Sequence, residues 1–128
     1  MKTFNLVKSM LALVAVFTMS LTISAAIGDN NLIYNTEEVD GLKVAETVYK
    51  NEDGMLVNYL KYSYKYDENR QMTESVTQKW NSSKMEWVND ICIRYTYDSK
   101  SVTTEYYKWN AKKNDFILVP EMTVTMDK

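Results

Sequence analysis

From Gly41 onward, apolar and polar positions alternate with a period of two in segments rich in Val, Ile, Thr, Tyr and Trp, separated by short polar breaks. That pattern predicts half-buried β-strands. Six are expected, at about 41–50, 55–66, 72–80, 85–97, 101–109 and 115–126. The breaks are Asp53-Gly54, Glu68-Asn69-Arg70, Ser82-Ser83, Ser99-Lys100 and Ala111 to Asn114. Only the first has the Asp-Gly of a tight primed turn; the others lean on Asn or Asp in the left-handed region. Connections this short join antiparallel neighbours, so the expected fold is all-β: a six-stranded antiparallel meander, curled or barrel-like to cover its apolar face.

Alternation also assigns faces. In the fourth segment Met85, Trp87, Ile91, Ile93, Tyr95 and Tyr97 fall on one side, with Glu86, Asp90, Arg94 and Asp98 opposite, which makes Trp87, Ile91 and Ile93 expected core. Leu56, Leu60, Tyr62, Tyr64 and Tyr66 share a face of the second segment, opposite Tyr59, and Met72, Val76 and Trp80 share one in the third. The fifth segment conflicts with itself, having Val102 and Tyr106 on one side and Tyr107 and Trp109 on the other. Without a bulge, Trp109 stands exposed on the face away from the core.

An internal repeat runs through the same region. Tyr64-Lys65-Tyr66-Asp67 leads to Trp80-Asn81 and Trp87; Tyr95-Thr96-Tyr97-Asp98 leads to Trp109-Asn110 and Phe116. Its period of about thirty residues fits one β-hairpin plus its connection. Each Asp is expected to end a strand and each Asn to begin a turn. This arrangement resembles a family of small exported proteins from gut Bacteroidales, described only as a domain of unknown function, over roughly residues 41–128 and the leader. The resemblance implies an exported β-protein and no catalytic residues.

The N-terminus reads as an address. Lys2 and Lys8 precede an uncharged run from Leu11 to Ile23, followed by the small residues Ser24-Ala25-Ala26. A run that short fits a signal peptide better than a membrane span. Cleavage is expected after Ala26, leaving a flexible acidic lead-in at 27–40 and a β-domain at 41–128, exported to the periplasm, outer surface or medium with no membrane span. Losing Lys2 and Lys8 leaves thirteen basic against seventeen acidic groups, and the acidic excess sits in residues 27–53. No basic stripe for nucleic acid is present.

Chemistry is limited by residue types. There is no histidine and a single cysteine, Cys92, so an intramolecular disulfide, a thiolate or imidazole zinc site and His-based catalysis lack their ligands. No cofactor is expected. A carboxylate enzyme would draw on Glu74, Glu86, Asp90 and Glu105, but acids alternating with apolar residues describe the wet face of any sheet. The expected role is therefore non-enzymatic: binding of a protein, through an aromatic patch or edge-strand addition that includes self-association, or alternatively of a carbohydrate. Trp109, Tyr107 and Trp80 are the candidate contact residues, since flat rings stack on sugar faces and anchor protein interfaces.

Overall fold

The structure, a computed structural model, describes residues 18–20 and 31–128. The signal-peptide reading of residues 1–26 lies outside the described residues, apart from 18–20. The strands are β1 (Thr18–Ser20), β2 (Leu32–Val39), β3 (Leu42–Glu52), β4 (Met55–Tyr66), β5 (Met72–Asn81), β6 (Glu86–Tyr97), β7 (Ser101–Asn110), β8 (Asp115–Leu118) and β9 (Val124–Asp127). They form one antiparallel meander in chain order, except that β8 and β9 both pair with β7. The described sheet is open, so the barrel-like closure expected from sequence is not what forms.

Among the described residues nine strands replace the expected six, for local reasons. Residues 32–39, read as lead-in, pair with β3 as β2. Asp40 and Gly41, with φ of 51° and 77°, make the two-residue turn between them, and Asp53 and Gly54, at 52° and 83°, make the next. Both are Asp-Gly turns whose positive φ values suit the twist of the flanking strands. Asp40-Gly41 was a visible signal, hidden by the polar character of Asn35, Thr36, Glu37 and Glu38. Pairing supplies what composition lacked: the Thr36 hydroxyl donates to Glu46 at 2.9 Å across the β2–β3 pair. The expected strand 115–126 is two, because a 3-10 turn at Pro120–Met122 interrupts it. Proline has no N–H to give the ladder.

Four bulges set the faces. The register shifts in the β2–β3, β3–β4, β4–β5 and β5–β6 pairs, leaving Val44, Tyr59, Thr73 and Asp90 as the extra residues, while β6–β7 runs without interruption. Each bulge inverts the alternation of its own strand. Thr77 pairs with Ile91, and Trp80, three residues along unbroken β5, pairs with Trp87. Ile91 and Trp87 therefore lie on opposite faces, which overturns the shared core face expected for Trp87, Ile91 and Ile93. The same geometry parts Leu56 from Leu60, brings Tyr59 to the side of Leu60, and parts Met72 from Val76 and Trp80.

Packing is thin. Among the described residues, Val48 and Cys92 are the fully buried apolar side chains, with Asn35 and Thr36 as buried polar ones. Among the described residues no second layer covers either face, so cohesion rests on ladder hydrogen bonds and cross-strand side-chain pairs of about 0.2–1 kcal/mol each.

Candidate functional site

Residues directly opposite each other on paired strands share a face. Following the register from β2 to β7 places Tyr34, Val48, Leu60, Tyr62, Tyr64, Ile91, Ile93, Tyr95, Tyr97, Val102 and Tyr106 on one side, here termed the tyrosine face. Its rings are organised. Tyr62 and Tyr64 stack at 6.5 Å between centroids and 11° between planes. Tyr66 Oη donates to the Lys43 carbonyl, and Tyr97 Oη to the Met72 carbonyl, each at 2.7 Å. Burial, then the nearby Glu46 carboxylate, pushes the Tyr64 phenol up to about 12. Asp90, the bulge residue of β6, is paired on this side: it accepts from Lys108 at 2.6 Å and meets Lys79 at 3.3 Å. Partial burial works against ionisation, yet the two lysines hold the Asp90 carboxyl below its ordinary value.

The other face is more polar, with Thr47, Lys61, Ser63, Lys65, Glu74, Gln78, Asn89 and Arg94. Glu74 lies 3.1 Å from Lys65 and 3.5 Å from Arg94, and Cys92 Sγ donates to it at 3.4 Å. Burial opposes the Glu74 charge, but the Lys65 and Cys92 hydrogen bonds and the Lys65 and Arg94 charges outweigh it and lower its pKa. Cys92 is fully buried, and its thiol is pushed up to about 11 by that burial and by Glu74. A thiol in this state is a packing group and not a nucleophile. Glu74 and Asp90 point to opposite sides of the sheet, so they cannot flank one scissile bond.

The repeated Trp-Asn elements occupy one end of the polar face. Asn81 Oδ1 accepts from the Lys84 backbone N–H at 3.1 Å, and Asn110 Oδ1 from that of Lys113 at 3.0 Å, each nucleating a four-residue turn. Such a turn sets the aromatic seven residues on directly across from the Trp. Trp80 meets Trp87 edge-on at 5.2 Å and 66°, and Trp109 meets Phe116 at 5.0 Å and 69°. The β6–β7 ladder ends at Ile91–Lys108, so beyond it the two hairpins part. A groove of about 550 Å³ lies between them, with Trp87 on one wall and Trp109 on the other.

Of the sequence candidates, Trp109 is on the face opposite Val102 and Tyr106, as its register required, but it is half-buried against Phe116 and not exposed. Trp80 is half-buried behind Trp87 and does not line the groove. Tyr107 lies two residues from Trp109 on the same side, its ring 4.6 Å below the Arg94 guanidinium. Trp87, Gln78 and Asn89 were missed. The signal for Trp87 was its place in the repeat, since a Trp-Asn turn followed by an aromatic at the seventh position dictates a cross-strand pair.

The fold matches solved structures. A DUF3836 family protein from Bacteroides vulgatus ATCC 8482 is 66% identical over 76% of this chain and 99% of its own, with a TM-score of 0.73. One from Parabacteroides distasonis ATCC 8503 is 30% identical over 77% and 89%, with a TM-score of 0.64. A Bacteroides fragilis NCTC 9343 protein with unknown function is 29% identical over 68% and 65%, with a TM-score of 0.63. No curated protein matches. The family model for DUF3836, a family of unknown function, matches residues 1–127, and the chain belongs to that family.

Proposed function

We propose that the chain is an exported, non-enzymatic interaction module whose tyrosine face binds a protein partner. The carrying observation is the sheet itself, which among the described residues has two fully buried apolar side chains and no layer over a face of tyrosine, isoleucine and valine. A β-sheet with one apolar face gains stability by burying it. The six long strands β2 to β7, of 8 to 12 residues and about 4.8 Å apart, present roughly 1,000 Å², above the ~800 Å² per side of a standard interface. Half-exposed tyrosines suit such a surface, since they bring large contact area together with a polar end. The absence of catalysis is supported by Glu74 and Asp90, both ion-paired, ionised and on opposite faces. Export is supported by Lys2, Lys8, the apolar run and Ser24-Ala25-Ala26.

The test is capture from the native envelope with wild-type chain, followed by titration of the purified partner. Ile93→Glu, at the centre of the tyrosine face, should weaken binding more than about tenfold by stranding a charge in the interface. Thr103→Glu, on the other face, should leave binding unchanged. A partner whose affinity ignores Ile93→Glu would remove the reading, as would a wild-type chain that retains no protein. Mass spectrometry of exported material should find Ile27 as the first residue; full-length chain in the membrane fraction would defeat export.

A further inference from the structure

We infer that the groove between the β5–β6 and β7–β8 hairpin ends is a binding site for a neutral carbohydrate, separate from the tyrosine face and independent of its partner. Several observations converge there. The groove holds about 550 Å³, within the ~300–1,000 Å³ of small-molecule sites. Its walls are the indoles of Trp87 and Trp109, one from each repeat, and both are buttressed from outside by an edge-on ring, Trp80 and Phe116 respectively. Rings held this way lose little side-chain freedom on meeting a ligand.

The polar groups between the indoles are amides. Gln78 Nε2 donates to Asn89 Oδ1 at 3.0 Å, which fixes both side chains and turns the Gln78 carbonyl and the Asn89 N–H to other partners. Asn114 adds an amide from the opposite hairpin, held at a φ of 51°, and Asn81, the fourth lining amide, is engaged by the Lys84 backbone N–H. One acceptor and one donor side by side match adjacent hydroxyls on a sugar ring. The charged lining residues are one Lys84 and one Glu86, which cancel. Flat apolar faces, paired amides and no net charge select a polyhydroxylated ring with a C–H face and select against phosphate, carboxylate or cationic ligands.

The wall positions also explain why the sheet tolerates the gap. Glu86 to Asn89 pair only with β5, and Trp109 and Asn110 only with β8, so each hairpin end keeps its own ladder while the space between them stays open. The repeat therefore places two equivalent Trp-centred hairpin ends side by side, which a single copy would not achieve.

The experiment is titration of the full chain with neutral tetrasaccharides of glucose, mannose and xylose, and with sialyllactose as an anionic control, followed by indole fluorescence. Binding of at least one neutral probe should shift the emission, while sialyllactose leaves it unchanged. Trp109→Ala should cost about tenfold or more in affinity, in the range of a truncated aromatic anchor. Asn89→Ala, which leaves both indole pairs in place, should also weaken binding, and Ile93→Glu on the tyrosine face should not. Circular dichroism checks that each variant folds, and Asn89→Ala carries the test if Trp109→Ala does not. No response to any neutral probe at millimolar concentration would overturn the assignment, and so would affinity unmoved by Asn89→Ala, or preference for sialyllactose. Because Ile93→Glu and Asn89→Ala act on different faces, failure here is distinguishable from failure of the protein-binding reading.

Discussion

At the scale of single residues, environment matters more than type. Trp87 looked like core by alternation, yet it is half-buried and packed edge-on against Trp80. Trp87→Ala is accordingly expected to destabilise by about 2 kcal/mol, an aromatic pair of ~0.5–1.5 kcal/mol plus partial burial, and not by the ~3–5 kcal/mol of an emptied core site. Urea denaturation measures it, and a loss of about 4 kcal/mol or more would return Trp87 to the core. Cys92 is the opposite case, since its polar-face neighbours on a thin sheet bury it completely. Its thiol should resist iodoacetamide in the folded chain and react on denaturation; fast labelling of native protein would contradict the burial. Nothing local to Cys92 in the sequence reveals that Glu74 and Arg94 lie over it.

At the scale of elements, the two Trp-Asn hairpins are near copies that differ informatively. Both close through an Asn side chain, and both put the residue before the return strand in the left-handed region: Asn114 at φ 51° and Met85 at φ 54°. Asn tolerates that conformation, whereas Met is disfavoured there. Met85 is also 73% exposed, so its side chain contributes little packing in return. Met85→Asn should therefore stabilise by about 0.5–1 kcal/mol, read as an upward shift of the melting midpoint. A destabilised variant would mean that the methionine makes a contact worth more than its backbone strain. The hairpins were legible in sequence because turn chemistry acts over four residues. The bulge at Asp90 was not, since nothing about Asp90 marks it as extra until Thr77 and Gln78 pair across from it.

At the scale of the whole molecule, stability depends on pH through groups that tie neighbouring strands. Glu74 and Asp90 have pKa values lowered from 4.5 and 3.8, so their stabilisation is complete above those values and is lost as pH falls through the lower folded ones. Tyr64 is raised from 10.0 to about 12, so its contribution is complete below 10.0 and lost as pH rises toward 12. Denaturation midpoints across pH should fall at both ends, and Glu74→Gln with Asp90→Asn should flatten the acid limb; an unchanged limb would place the titrating groups elsewhere. The sequence by itself determined the all-β class, five of the strand positions within a few residues, and the Asn and Asp turns. Those follow from alternation and backbone chemistry over short spans. Only the tertiary structure decided which residues share a face, that the sheet stays open, that residues 32–39 join it, and that two half-buried indoles flank one groove. Each of these depends on where a ladder shifts or stops, and that is settled by pairing between strands and not by either strand alone.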